Sequence, residues 1–198
     1  MTLRIKQIGL FAAVLLLASG TASADVGWTL SPTDSRVSFV SVKQGTAGEV
    51  HHFTEAEGAV SDQGTVSLSI DTASVETGID VRDERMVDYL FQSAIFPTAN
   101  LSMKVDMDEL SEMEAGETRQ ISVTGSLSLV GQSGDIEAEL LVSRLAEDKV
   151  LVATLQPVVI QAEAFDLVAG IDTLRELAEL SSISAAVPVS ALLVFVKN

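Results

Sequence analysis

Apolar and polar residues alternate with a period of two over much of this chain, the signature of strands whose successive side chains point to opposite faces. Thr65 to Asp71 sets Val66, Leu68 and Ile70 against Ser67 and Ser69. Leu101, Met103, Val105 and Met107 alternate with Ser102, Lys104 and Asp106, and Ile121, Val123, Gly125, Leu127 and Leu129 with three serines and Thr124. Further strands are predicted over Arg36 to Val42, where Val37 and Phe39 share a face, and over Ile136 to Leu145, Val150 to Gln156 and Ser184 to Lys197. Turn chemistry separates them: Ser31-Pro32-Thr33-Asp34, Gly45 with Gly48, Gly131 to Gly134, and Ala146 to Lys149. Pro157 leaves Val158 to Ala164 as either a bend or a new strand. Glu49 to Glu57 reads as one extended run in which Glu49, His51, Phe53 and Glu55 share a face, and Glu109 to Thr118 as a solvated acidic hairpin connection.

Two segments change period. Between Glu76 and Pro97, Val87, Leu90, Phe91 and Ala94 fall on one helical face, with Asp80 placed to cap the start, Asp83 and Glu84 in the first turn, and Pro97 to stop it. Ile171 to Leu180 is a second helix candidate, with Asp172 as its cap and Leu174, Leu177 and Ala178 sharing a face. Strands joined by short polar turns, with two helical interruptions, predict a mainly β fold, an antiparallel sheet or barrel.

The N-terminus carries Arg4 and Lys6, an apolar run from Ile8 to Ala18, and Ala22-Ser23-Ala24. This order predicts a secretory signal peptide over 1–24, cleaved after Ala24, and a periplasmic or secreted domain over 25–198 without stable membrane insertion. Loss of Arg4 and Lys6 leaves ten basic residues against 28 acids, a net charge of −18. Such a chain is repelled by nucleic acid and by anionic membrane surfaces. With no cysteine in the sequence, its stability must come from packing, and thiolate chemistry is excluded.

Candidate chemistry is sparse. His51 and His52 are the only histidines, and on a strand they point to opposite faces. One of them could join Glu49, Glu55 or Glu57 around a metal, but solvated or hydrogen-bonded surface histidines are the simpler expectation. The serines lie in no G-x-S-x-G elbow, and nothing in the spacing brings a serine to a histidine. In the run Arg82 to Met86, the arginines could hold an anionic head group through bidentate contacts, but local pairing, Arg85 with Asp88 among the pairs, is the simpler expectation. The apolar faces remain: either a packed core, or the wall of a barrel of about eight strands holding one apolar ligand.

Trp28, Ser35 to Phe39, Phe53 with Gly58, SIDTASVETGIDVRDERM, Leu90-Phe91, Phe96-Pro97 and the later VTGSLSLVG together resemble the YceI-like family of exported lipid-binding proteins. The likeness spans Trp28 to Phe195 and is most specific over Asp71 to Pro97, where a strand, an SxxT turn, an Arg-Asp helix start and an aromatic-Pro exit follow in order. The resemblance implies a lipocalin-like antiparallel β-barrel with an elongated internal cavity and a polyisoprenoid or other long lipid as ligand. Its Arg-Asp pair maps onto Arg82 and Asp83 as a structural motif. Family members often carry a histidine two residues after the aspartate, where this chain has Arg85.

The expectation is therefore a carrier that sequesters a long isoprenoid or acyl chain, without covalent chemistry, cofactor or metal. Phe39, Leu68, Ile70, Leu101, Met103, Leu127 and Leu129 on the strands, and Met86, Leu90 and Phe91 on the helix, are the expected ligand contacts. A structural or stress-related partner protein with a filled core is the alternative, and a hydrolase or metal site using His51 or His52 a third. Homodimerisation through an edge strand stays open.

Overall fold

A computed structural model describes residues 26–198; the expected signal peptide lies outside them. Twelve strands build eight staves. The first stave is β1 (Val26–Leu30) and β2 (Arg36–Lys43), broken by a turn at Pro32–Asp34. The second is β3 (Ala47–Phe53) and β4 (Ala56–Ser61); the third is β5 (Thr65–Asp71) and β6 (Val75–Glu76), interrupted at Thr72–Ser74. Then come β7 (Thr98–Lys104), β8 (Thr118–Leu129) and β9 (Gln132–Ala146). β10 (Lys149–Thr154) and β11 (Val158–Gln161) flank Pro157, and β12 (Ala186–Lys197) is the last stave. Neighbours pair antiparallel throughout, and β1 with β12, Trp28 opposite Lys197, closes the ring. Closure satisfies the edge amides that an open sheet would expose. The fold is thus the expected antiparallel eight-stave barrel, and Pro157 separates two strands.

The long run Glu49 to Glu57 is two strands, because the chain corners at Thr54 and Glu55. There Thr54 and Glu55 donate their amides to the Ser74 carbonyl and hydroxyl. Glu55 is consequently exposed and no longer extends the face of His51.

Helix α1 (Asp80–Arg85) runs straight into a π-helical turn, Met86–Phe91. Asp80 is its first helical residue rather than its cap; Ile79 holds the cap position without a side-chain bond. The segment ends at Gln92, which is left-handed at φ 49°, so Ala94 and Pro97 lie beyond it. The exit is held from below instead: Thr72, 1% exposed, donates its amide to the Pro97 carbonyl, and its hydroxyl lies 2.8 Å from Ser93 Oγ and 2.9 Å from the Phe96 carbonyl. This buried node accounts for the threonine and the aromatic-proline exit occurring together in the sequence.

The acidic connection Glu109 to Thr118 contains the end of a short helix, α2 (Met107–Ser111), capped by Asp106 through the Asp108 amide at 2.9 Å. Its follower Met113 is buried, so this is not a purely solvated loop. The last helix, α3 (Val168–Leu177), begins before Asp172, which sits inside it and pairs with Arg175 at 3.3 Å. Tertiary packing sets its start: Leu167 and Ile171 are buried, and Gly170 lets it cross the π-helical turn at close range. A Cβ on Gly170 would stand 2.6 Å from the Tyr89 carbonyl oxygen and 2.9 Å from Leu90 Cα.

Buried side chains gather at the two ends of the barrel. Phe39, Val75, Met86, Phe91, Ile160, Phe165 and Ile171 form one cluster, where the helical segments pack on the strands. Trp28, Leu30, Val37, Leu68 and Phe195 form the other, near the β1–β12 closure. Arg144 stacks over the Trp28 ring at 5.0 Å there.

Candidate functional site

Between these clusters the barrel is hollow. The cavity measures about 890 Å³, within the range of roughly 300–1,000 Å³ that ligand pockets occupy. All eight staves contribute to its wall, together with α1, the π-helical turn and α3. The filled-core alternative does not fit this interior.

Each of the ten side chains expected to face a ligand lines the cavity: Phe39 from β2, Leu68 and Ile70 from β5, Leu101 and Met103 from β7, Leu127 and Leu129 from β8, and Met86, Leu90 and Phe91 from the helical turn. Their register explains it. Leu101 lies opposite both Leu68 and Leu127, and Met103 opposite Val66 and Gly125, so one row of inward positions crosses three staves. The far wall, Ala138, Leu140 and Val142 of β9, Val150 and Val152 of β10 and Val189, Ala191 and Leu193 of β12, is visible in the sequence as alternation but not as ligand wall. Leu174 and Ile171 of α3 also line the space, and no local signal in the sequence distinguishes their face from core.

The cavity reaches the surface beside α1, where Ile79 and Val81 line it and are 49% and 50% exposed. A ring of charge surrounds this mouth. Lys43 Nζ donates to Glu49 Oε1 at 2.8 Å, and Arg82 Nη1 donates to Glu49 Oε2. Arg82 also donates from Nε to Thr77 Oγ1 at 2.8 Å and from Nη2 to the Thr77 carbonyl at 2.7 Å. Asp83 accepts the Thr77 amide at 3.0 Å and its hydroxyl. Arg82 and Asp83 thus fix the entry to α1 from both sides. The local-pairing expectation is corrected here: Arg82 takes its partner from β3, and Arg85 donates to the Leu177 carbonyl at 3.2 Å rather than pairing with Asp88. The hydrogen bond from Lys43, with Arg82 beside it, holds the Glu49 carboxyl below its ordinary range despite some burial.

One rung further in, His51 is 2% exposed and lines the cavity, contrary to the expected surface histidine. Phe53, two residues on, carried the signal: the face bearing that aromatic had to turn inward. His52 is half-buried on the opposite face, opposite Glu76 of β6. His51 Nε2 is hydrogen-bonded to Ser41 Oγ at 2.8 Å, so the fold does bring a serine to a histidine, which the spacing did not suggest. Nδ1 has no hydrogen-bond partner among the described residues. Burial, reinforced by the Arg82 charge, pushes the imidazole's pKa down and keeps it neutral. A nucleophilic serine needs its histidine oriented by a group on Nδ1; here that nitrogen is free, and Ser41 stands within a strand. Among the described residues no three His, Asp or Glu side chains group as a metal site, and Glu55 has left the face of His51. No helix among them is long and apolar enough to cross a membrane.

A closed antiparallel barrel with a hollow aliphatic interior that reaches the surface beside a short helix is the architecture of a lipocalin-like binding protein. The YceI-like domain matches residues 28–195, and the chain belongs to the YceI-like family. It is similar to a polyisoprenoid binding domain from Saccharophagus degradans implicated in plant cell wall breakdown, at 38% identity over 88% of this chain and 100% of that one, with a TM-score of 0.86. BcnA of Burkholderia cenocepacia shares the fold at 19% identity, 83% and 98% coverage and a TM-score of 0.65. A Campylobacter jejuni YceI protein shares it at 17% identity, 75% and 84% coverage and a TM-score of 0.52. A search of curated proteins found no match.

Proposed function

We propose that this protein is an exported, non-catalytic carrier that holds one long isoprenoid or acyl chain inside its barrel. The observation that carries the reading is the cavity of about 890 Å³, walled by aliphatic and aromatic side chains from every stave and open beside α1. A flexible hydrocarbon chain gains most from such a space, at roughly 25 cal/mol per Å² of apolar surface withdrawn from water. The similarity to a polyisoprenoid binding domain at 38% identity favours a prenyl over an acyl chain. Export rests on the signal-peptide pattern of residues 1–24 and suits a carrier working between membranes.

Native mass spectrometry of protein purified without detergent tests the reading, followed by titration with a fluorescent prenyl probe. The expected result is a co-purifying lipid mass, or saturable uptake of one probe per chain. A bare protein that also takes up neither prenyl nor acyl probe would remove it.

A further inference from the structure

We infer that the α2 end of the cavity holds an oxyanion head group, a carboxylate or a phosphate, on Arg144 with Lys197 beside it. The inference rests on the carrier reading and specifies which way round the ligand sits and what its polar end is. Helix α1 comes before β7 and α2 after it, so the two lie at opposite ends of the barrel. The cavity runs between them: Ile79 and Val81 line it near α1, and Met107, Ser111 and Asp62 near α2. Ser111 and Asp62 are exposed, so the space meets solvent at the α2 end as well. Two cations stand there. Arg144 lies opposite Val150, which lies opposite Phe195, and Lys197 lies opposite Trp28; all five line the cavity. Directly opposed side chains share a face of the sheet, so both cations belong to the inward rows.

Arg144 is half-buried and held in place. Its guanidinium lies 5.0 Å over the Trp28 ring, and Nη2 donates to the Glu147 carbonyl at 2.6 Å. Among the described residues its other nitrogens have no acceptor, and neither Arg144 nor Lys197 has a carboxylate within 4.0 Å. The cations of the α1 mouth are engaged instead: Lys43 and Arg82 share Glu49, and Arg85 donates to the Leu177 carbonyl. Asp62 and Asp108 also line the α2 end, but Asp62 is laid over Gly27, where its carboxylate leaves no room for a Cβ, and Asp108 stands on the exposed first turn of α2. A planar guanidinium with free N–H groups matches the oxygens of a carboxylate or phosphate, and such charge-assisted bonds are the strong ones. The negative charge of the whole chain opposes an anion only at long range, where salt screens it beyond about 8 Å. The hydrocarbon tail then runs up the barrel toward Phe39, Phe53 and Phe91.

The test uses two pairs of probes, each matched in its chain: hexaprenyl phosphate with hexaprenol, and oleate with oleyl alcohol. The wild-type protein should bind the anion of at least one pair about tenfold more tightly than its alcohol, the scale of one charge-assisted bond. The pair with the larger ratio tells phosphate from carboxylate. Arg144→Gln should bind the alcohols as before, which shows its cavity intact, and lose most of the ratio. Lys197→Gln should lose part of it. Lys149→Gln removes a cation paired with Asp34 at the same end but outside the cavity, and should lose none. Trp28 is the only tryptophan of the chain, so the seat of the head can also be read without a substitution. The tighter-bound anion, brominated beside its head group, should quench Trp28 emission more than the same anion brominated at its far end. Equal affinity for anion and alcohol in both pairs, a ratio that survives in Arg144→Gln or falls as far in Lys149→Gln, or stronger quenching from the far-end bromine would overturn the assignment and leave the carrier reading standing. Failure of all four probes to bind would overturn both.

Discussion

Arg82 on α1 donates to the Glu49 carboxylate on β3, 33 residues earlier, and so ties the helical segment to the sheet across the mouth of the cavity. The same guanidinium holds the Thr77 hydroxyl and carbonyl from two further nitrogens, a planar spread of donors that the single nitrogen of a lysine does not reproduce. Arg82→Ala should therefore cost about 2 kcal/mol in urea unfolding, from one charge-assisted bond and two others partly screened by solvent. Of this, about 1 kcal/mol should appear as coupling in a double-mutant cycle with Glu49→Gln. The Glu49 carboxyl is held below its ordinary range, chiefly by Lys43, so its contribution is present above that range and disappears as pH falls through the lowered value. Coupling that is absent at neutral pH, or that grows on acidification, would contradict the geometry.

Gly170 meets the backbone of the π-helical turn so closely that a methyl group there has no room against the Tyr89 oxygen. In an isolated helix, Gly170→Ala would stabilise by about 1 kcal/mol. Here it should destabilise by a net of about 1–3 kcal/mol, because α3 must shift away from Leu90. Since Ile171, Leu174 and Leu90 line the cavity, the same shift should weaken prenyl-probe uptake more than it lowers the unfolding midpoint. Thermal unfolding and probe titration on one sample separate the two effects.

How far the fold could be read from the chain follows from where its information lies. Apolar-polar alternation in β5, β7 and β8 is a local property, and it put six of the ten expected residues on the cavity wall; Phe39 of β2 and the three helical residues reach it as well. The barrel's corners are not local. Thr54 and Glu55 break a stave because Ser74 receives them, and Thr72 secures the helix exit through Ser93 and Phe96. Asp80 and Asp172 looked like caps on residue type alone, but buried Leu167 and Ile171 and the cap at Ile79 decide the boundaries. The expected surface position of His51 rested on residue type alone; Phe53 on the same face is the better guide.

His51 makes stability depend on pH in a definite direction. Burial lowers its pKa below the ordinary 6.5, with Arg82 and Lys43 lowering it further and Glu49 and Asp83 acting against them. The unfolded chain then binds a proton that the folded chain refuses. Stability is unaffected above the ordinary value and falls as pH drops below it, by at most about 1.4 kcal/mol per unit until the folded pKa is reached. Urea midpoints between about pH 7.5 and pH 5.5 should show this loss in the wild type and in His52→Gln. It should be reduced in His51→Phe, which has no buried imidazole to charge. A slope that follows His52 instead would place the buried group wrongly.

Ala138 on β9 points into the hollow, where a larger side chain would find space rather than a packed neighbour. In a filled core, Ala138→Phe would be overpacked and cost about 1–3 kcal/mol. In a hollow barrel the new ring occupies volume that the ligand uses, so folding should survive while binding suffers. The expected outcome is an unfolding midpoint equal to or above that of the wild type, with prenyl-probe affinity reduced at least tenfold. Ser122→Phe, on the outward face of the neighbouring β8, adds the same ring without entering the cavity and should leave the affinity unchanged. Loss of stability without loss of binding in Ala138→Phe would mean that the interior is packed at this position and that the ligand lies elsewhere.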